Sequence, residues 1–267
     1  MPELPEVETV VRGLKPRLLG LRIESVELRH KQVLRGAVAR AAGWTIVEVR
    51  RWGKYIVLEL RRGRNSRCLI IHLGMTGQLL LEGEPGRHTH ALFGLEGGGT
   101  MLFNDIRRFG RLELAERLPA RLERLGPDPL ELSVEAFAAL FRARRAMAKA
   151  LLLDQRFVRG MGNIYADEAL FRAGIHPRAI AARVRRERGA ALGRAITEVL
   201  TEAIHAGGSS ISDYVGTDGR AGEFQLQHRV YGRQGEACLA CGACIRRIVV
   251  ASRGTHFCPR CQRAPRA

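Results

Sequence analysis

The sequence predicts a multidomain α+β chain, with an N-terminal antiparallel β-sandwich or barrel, a helical middle and a small C-terminal hairpin held by cysteines. Three observations carry this. Eight short segments rich in β-branched residues follow one another before residue 115, separated by glycine-rich punctuation such as Arg61-Arg-Gly-Arg-Asn65 and Gly97-Gly-Gly99. Strands at that spacing suit an antiparallel sheet rather than a parallel one. From Ser133 to His205 the apolar residues recur at helical spacing instead. Five of the six cysteines lie in the last thirty residues.

The chain opens Met1-Pro-Glu-Leu-Pro-Glu-Val-Glu8. Proline suits a first helical turn, where its missing N–H would be unpaired anyway, and carboxylates suit the positive end of the helix dipole. Leu4, Val7, Val11, Leu14 and Leu18 then form an apolar stripe, and Leu19-Gly20 ends the helix. The expected strands are Leu21–His30, Thr45–Arg50, Tyr55–Leu60, Arg67–Leu73, Gln78–Leu81, Thr89–Leu95, Thr100–Asn104 and Arg111–Leu114. Leu125-Gly-Pro-Asp-Pro129 can continue neither strand nor helix. The expected division is therefore 1–117 for the sheet domain, 118–131 for a linker, 132–235 for the helical domain and 236–267 for the cysteine module. Ser133 is expected to cap a helix that buries Ala136, Phe137, Leu140 and Phe141, and the last helix is expected over Arg183–His205. Residues 207–235 are polar and glycine-rich, a length without periodicity that suits a functional or mobile loop.

Hydrophobic residues make up 46% of the 267, enough for a buried core. The net charge is +17, nearly all of it from arginine, which points to a polyanion recognised through bidentate phosphate contacts. Composition alone does not separate an enzyme from a non-catalytic nucleic-acid binder. The longest apolar runs, such as Cys68-Leu-Ile-Ile71, are strand-length, and no membrane contact is expected. The acidic N-terminus is unlike a secretory signal, which sets the expected location as cytoplasmic.

Cys238-Leu-Ala-Cys241 and Cys258-Pro-Arg-Cys261 are two pairs of thiols, each two residues apart. Such knuckles close a tetrahedral zinc site, and four thiolates leave no open position, so one structural Zn²⁺ is expected. Arg246–Ala251 and Thr255-His-Phe257 between them read as a hairpin. Cys244 has the same spacing to Cys241 as Cys238 does, so a Cys241/Cys244 clasp is an alternative; Cys238 is favoured because it precedes the tight Gly242 turn.

An amine beside a carboxylate is a nucleophile beside a proton donor. Removal of Met1 would place the secondary amine of Pro2 next to Glu3 in that relation. With that opening, Gly53-Lys54-Tyr55, His72-Leu-Gly-Met75, Asp105-Ile-Arg-Arg-Phe-Gly110, Gly160-Met-Gly-Asn-Ile-Tyr-Ala-Asp-Glu168, Tyr231-Gly-Arg-Gln-Gly235 and the four cysteines follow in order. The chain closely resembles, end to end, the bacterial formamidopyrimidine-DNA glycosylases (Fpg/MutM) of the Fpg/Nei superfamily. The resemblance implies an N-terminal antiparallel β-sandwich with flanking helices, a helix–two-turn–helix domain and a zinc-finger β-hairpin. It also implies a monomeric base-excision-repair enzyme, acting on double-stranded DNA that carries 8-oxoguanine or formamidopyrimidines, as glycosylase and as apurinic/apyrimidinic lyase.

The resemblance further implies roles for individual residues. Pro2 would be the Schiff-base nucleophile, Glu3 the proton donor and Glu6 a supporting group, against a plain dipole role for Glu6. Lys54 would contact phosphate or donate a proton in β-elimination, and Arg253 would do so in δ-elimination. Met75, Arg107 and Phe109 would fill the void left by a flipped base, an apolar wedge and an arginine being suited to that gap. His88, Asn163 and Lys149 would contact DNA, with Asn163 otherwise a helix N-cap and Lys149 otherwise a helix-surface lysine. A loop at about 217–224 would cap the lesion. The rival readings are an endonuclease VIII-like enzyme for oxidised pyrimidines and a non-catalytic zinc-ribbon binder.

Overall fold

The computed structural model describes residues 1–30, 33–210, 216–217 and 219–264. By compactness they fall into two units, residues 1–124 with 204–225, and residues 125–203 with 226–264.

In the first unit, helix α1 (Leu4–Leu18) buries Leu4, Val7, Val10, Val11, Leu14 and Leu18. At about 1.5–3 kcal/mol for each buried aliphatic side chain, that stripe far outweighs the roughly 1 kcal/mol lost by a glycine inside a helix, here Gly13. The helix packs on β3 (Trp44–Trp52) and β4 (Tyr55–Arg62). The remaining strands are β1 (Arg22–Leu28), β2 (Leu34–Arg35), β5 (Asn65–His72), β6 (Gly77–Leu80), β7 (Thr89–Leu95), β8 (Thr100–Asp105) and β9 (Arg111–Ala115). All lie on one ladder in the order β2-β9-β5-β4-β3-β1-β7-β8-β6. Every pairing is antiparallel except that of β2 with β9.

Strand β1 joins the two halves of this ladder. Arg22 and Ile23 pair with β3, whereas Ile23 to Leu28 pair with β7, with a register shift between Ile23 and Ser25. One core serves both halves: Ile46, Ile56, Leu58, Leu69 and Ile71 from one side cluster with Phe93, Met101 and Phe103 from the other. The eight expected strands all form, most shifted or extended by one or two residues.

The second unit contains α3 (Val134–Arg142), α4 (Ala148–Leu153), α5 (Asn163–Arg172) and most of α6 (Arg186–His205); a short α2 (Ala120–Glu123) precedes it in the first unit. Ser133 caps α3 as expected, its Oγ accepting from the Ala136 N–H at 3.1 Å. The buried side of α3 is Phe137, Ala138 and Phe141, while Leu140 is exposed, because Phe137 and Phe141 stack and set the inward face. Helix α6 begins at Arg186 rather than Arg183, since Ala181–Arg183 form a separate 3₁₀ turn. Helix α5 is unusual: every residue from Ile164 to Phe171 is buried, Asp167 and Glu168 included. Its N-cap is Gly162, and Asn163 is the first residue inside the helix, not the cap.

The hairpin β10 (Arg246–Val250) and β11 (Arg253–Phe257) belongs to the same unit. Its two-residue turn puts Ala251 and Ser252 at φ 50° and 59°, a left-handed conformation that L-residues adopt at a cost and that matches the twist of the strands.

Leu14 is fully buried under the sheet. Leu14→Ala should lower the stability of the first unit by about 2–5 kcal/mol in urea denaturation, with little loss of helix content. A change below about 1 kcal/mol would mean that the helix does not depend on that stripe.

Candidate nucleic-acid interface and active site

The N-terminus of α1 is fixed by two buried carboxylates. Glu3 and Glu6 form a capping box in which each side chain accepts from the other residue's backbone N–H, the Glu3 N–H reaching Glu6 Oε2 at 2.7 Å. The second Glu6 oxygen, Oε1, accepts from the N–H of Ser209 at 2.8 Å. Glu6 is only 2% exposed and Glu3 4%, so both are components of the interior rather than surface dipole partners. Pro2, buried, directly precedes this cap, and Met1 is exposed.

Ser209 lies at the base of the polar segment, and that base is stapled. Glu223 N–H donates to Ala206 O at 2.9 Å and Phe224 N–H to Gly208 O at 3.0 Å. Gly222 approaches so closely that a Cβ there would lie 2.3 Å from Gly208 O. Thr217 is buried against Gly13 of α1, where a Cβ on the glycine would meet its Oγ1 at 2.4 Å. The loop expected to cap a lesion thus begins on α1 and returns beside the Glu6 anchor; Asp218 lies outside the described residues.

A second cluster gathers the expected void-filling residues. Asp105, fully buried at the end of β8, accepts from Thr76 Oγ1 at 2.5 Å and from the N–H of Arg107 at 3.2 Å through Oδ1, and from the N–H of Gly110 at 2.7 Å through Oδ2. The Asp105 N–H donates to His88 O at 2.9 Å. Gly74, at φ 65°, lies against the backbone of Phe109 and Gly110, leaving no room for a side chain. The result is a compact pair of turns that displays Met75, Phe109 and Arg107, the guanidinium lying 4.8 Å from the Phe109 ring centre. Phe109 is 49% exposed and the neighbouring Ile106 54%. Large apolar groups held rigidly in water are what a wedge into a base stack requires. Arg108 adopts φ 57°, a strained conformation imposed by the same turn.

Lys54 is the second residue of the two-residue β3–β4 loop, after Gly53 at φ 61°, and is buried rather than a solvated surface lysine. His72 stands near it. Burial, with Lys54 and then Arg111 adding repulsion, holds the His72 pKa down at about 4, and its Nδ1 accepts from the Gly74 N–H at 3.1 Å.

In the second unit Lys149 requires a correction. It is fully buried, 2.5 Å from Asp167 Oδ1, and donates to Asn163 O at 2.9 Å. Its charge is used inside the protein, so it is neither a phosphate contact nor a helix-surface group. Asn163 bridges to the hairpin, its Nδ2 donating to Gly254 O at 2.9 Å, next to the exposed Arg253. Sequence reasoning missed three groups, Ser209 in the first unit and Asp167 and Glu168 in the second. The Glu168 carboxylate accepts from the N–H groups of Arg229, Val230 and Tyr231 at 2.9–3.1 Å, holding the turn before the finger. Burial still pushes its pKa above the usual carboxylate range against the pull of those N–H groups.

The Sγ atoms of Cys238, Cys241, Cys258 and Cys261 lie within 4.8 Å of one another, with Cys241 and Cys258 3.4 Å apart and Cys238 and Cys261 4.0 Å apart. A tetrahedron with Zn–S near 2.3 Å has edges of about 3.8 Å, so the four thiols fit one zinc. Cys244 is exposed and lies outside this cluster, which settles the alternative clasp. Gln262, fully buried, ties the site to the helices by accepting from the Cys258 N–H and donating to Ile175 O, each at 2.9 Å.

A β-sheet domain, a helical domain and a Cys₄ hairpin together define a zinc-finger protein. Sequence profiles assign the class further. Residues 1–112 match the formamidopyrimidine-DNA glycosylase N-terminal domain, 125–215 the formamidopyrimidine-DNA glycosylase H2TH domain, and 235–264 the zinc finger found in FPG and IleRS. The formamidopyrimidine-DNA glycosylase of Solibacter usitatus is 56% identical, covering 98% of this chain and all of that protein. The crystal structure of the Thermus thermophilus MutM (FPG) protein has a TM-score of 0.87 at 47% identity, covering 98% of both chains. A Lactococcus lactis FPG mutant in complex with DNA containing Fapy-dG has a TM-score of 0.88 at 37% identity, over 98% of this chain and all of that one. The chain belongs to the formamidopyrimidine-DNA glycosylase family.

Asp105→Asn places an NH₂ where two N–H donors and a hydroxyl now converge. Excision from a lesion duplex should fall at least tenfold, with about 1–3 kcal/mol lost in stability. Unaltered single-turnover excision would show that the turn is not needed. For His72, the unfolded chain binds a proton near pH 6.5 that the folded chain refuses until about pH 4. Its contribution is complete above that window and lost as pH falls through it. His72→Gln should therefore show a smaller drop in the urea midpoint of the first unit between about pH 7 and pH 5 than the unsubstituted protein. An equal drop would assign the acid sensitivity to another group.

Proposed function

We propose that this chain excises oxidised purines, 8-oxoguanine and formamidopyrimidines, from duplex DNA and then cuts the strand, with the Pro2 amine as nucleophile once Met1 is removed. The observation that carries this reading is the fixation of the α1 N-terminus: Glu3 and Glu6 lock the first turn, and Ser209 ties the loop base to it. A nucleophile at that point is held by the core rather than by a mobile tail.

The damaged nucleotide must leave the stack before its C1′ can be reached. Met75, Phe109 and Arg107 suit the space it vacates, the first two by filling it and the arginine by bonding the widowed base. The Pro2 nitrogen, unprotonated in a useful fraction because an α-amino group titrates near pH ~8, attacks C1′. The glycosidic bond breaks and the base leaves with its electron pair. The ring then opens as the C1′–O4′ bond breaks, Glu3 supplying the proton to O4′, and a cationic iminium joins the enzyme to the sugar. A secondary amine yields that cation directly, and it draws electrons from C2′. Loss of a C2′ proton expels the 3′ phosphate, a second elimination expels the 5′ phosphate, and water releases Pro2. Lys54 serves the first elimination and Arg253 the second, as phosphate contact or proton donor. Glu6 supports the site, while His88 and Asn163 contact the backbone.

The zinc holds the hairpin that carries Arg253 and takes no part in bond changes, its four thiolates leaving no open position. The net charge of +17 supports a DNA backbone as partner. Among the described residues no helix is long and apolar enough to cross a membrane. The chain acts as a monomer in the cytoplasm, where a bacterial chromosome lies.

The test is incision of an 8-oxoguanine duplex. The protein should leave a one-nucleotide gap with phosphates on both ends, and Pro2→Gly should lower the rate by at least 10²-fold while changing DNA affinity by less than about threefold. Equal activity on oxidised pyrimidines and none on 8-oxoguanine would favour the endonuclease VIII-like reading, and binding without incision would favour a non-catalytic binder.

A further inference from the structure

Helix α5 places two acids in succession at zero exposure, and Asp167 is not accounted for by the proposed chemistry. A carboxylate so placed is costly unless each oxygen finds a partner. Oδ1 lies 2.5 Å from the buried Lys149 ammonium on α4. Oδ2 accepts from the backbone N–H of His256 on β11 at 2.9 Å, with His256 Nδ1 3.4 Å away. One helical turn earlier, on the same face, Asn163 donates to Gly254 O at 2.9 Å. Two side chains of one helix thus grip alternate residues of β11, and Gly254 is the neighbour of Arg253. Lys149 completes the circuit by also donating to Asn163 O, so one cation braces both gripping residues. The Ala251-Ser252 turn on the other side of Arg253 is in a strained conformation, which fixes the hairpin tip only if the strands behind it are held.

We propose that Asp167 is the positioning residue of the finger arginine: neutralised by Lys149, it clamps β11 through the His256 N–H and so sets Arg253 and Asn163 in one frame for adjacent phosphates. This rests on the proposed phosphate role of Arg253. The pair cannot be dissected by losing one charge, because the other would remain bare in the interior. Substituting both residues removes both charges, and the choice at 167 then decides whether an acceptor for His256 is kept. Lys149→Met/Asp167→Asn keeps it and Lys149→Met/Asp167→Leu deletes it.

The experiment measures affinity of the zinc-loaded full-length protein for a duplex bearing a tetrahydrofuran abasic analogue, from about 50 to about 300 mM salt. Each lost phosphate contact lowers the slope of log K against log salt by about 0.9. A loss of general stability leaves the slope of the folded fraction alone. Arg253→Ala should lower it by about 0.9. Lys149→Met/Asp167→Leu should lower it by at least as much, with zinc retained, and Lys149→Met/Asp167→Asn should restore it. A normal slope for Lys149→Met/Asp167→Leu beside a reduced one for Arg253→Ala would overturn the proposal. A normal slope for Arg253→Ala would overturn the phosphate role and this proposal with it. If the leucine variant does not fold, His256→Pro deletes the same donor from the hairpin side, and its slope is read in the same two ways.

Discussion

The Glu6 carboxylate is the interaction on which the proposed active site depends. Its two oxygens accept N–H groups from Glu3 and from Ser209, the latter 203 positions from Glu6 along the chain. A helix N-terminus has unsatisfied donors, and here one acid satisfies the helix and the loop base together. The consequence is rigidity where flexibility is the rule, since chain ends are ordinarily loose. The apolar stripe beneath α1 adds to this, because Leu4 and Val7 are buried within one turn of the cap. Removing Glu6 would therefore do more than subtract a charge: two N–H groups would lose their acceptor, and the two ends of the site would lose their common reference.

The same device recurs in the second unit with different partners. Asp167 and Glu168 follow one another on α5, and each directs its carboxylate to backbone N–H groups of a segment far along the chain. One holds the zinc hairpin and the other the turn at 229–231. Buried acids of this kind are costly alone and strongly orienting when satisfied. They explain why the finger is integral to the helical unit: Phe171 and Val230 pack against Cys238, Cys258 and Ile245, and Gln262 bonds across to Ile175. Arg253 is exposed on a hairpin whose clamp, Asp167 with Lys149, is fully buried.

Much of this was legible in the sequence because it follows from local periodicity and spacing. The α1 stripe, all eight strands, the Ser133 cap and the zinc knuckles each need only a few neighbouring residues to be recognised. What the sequence hid depends on long-range contact. Lys149 reads as a helix-surface or phosphate-binding lysine, and only the fold reveals that Asp167, eighteen residues later, has drawn its charge inside. Asn163 reads as a cap because it follows Gly162, yet Gly254 pulls its side chain away. Ser209 carries no signal at all, because its contribution is a backbone N–H that any residue but proline possesses. Asp105, by contrast, stands in a recognisable motif, but its work as a hub for three donors is a property of the folded turn.

The most direct measurement is borohydride reduction of the protein on an 8-oxoguanine duplex, followed by mass spectrometry to locate the sugar adduct. The competing amines are few, since Lys15, Lys31, Lys54 and Lys149 are the only lysines in the chain. One adduct is expected, on the peptide that begins with Pro2. An adduct on Lys54 or any other lysine, or none despite intact binding, would contradict Pro2 as the nucleophile.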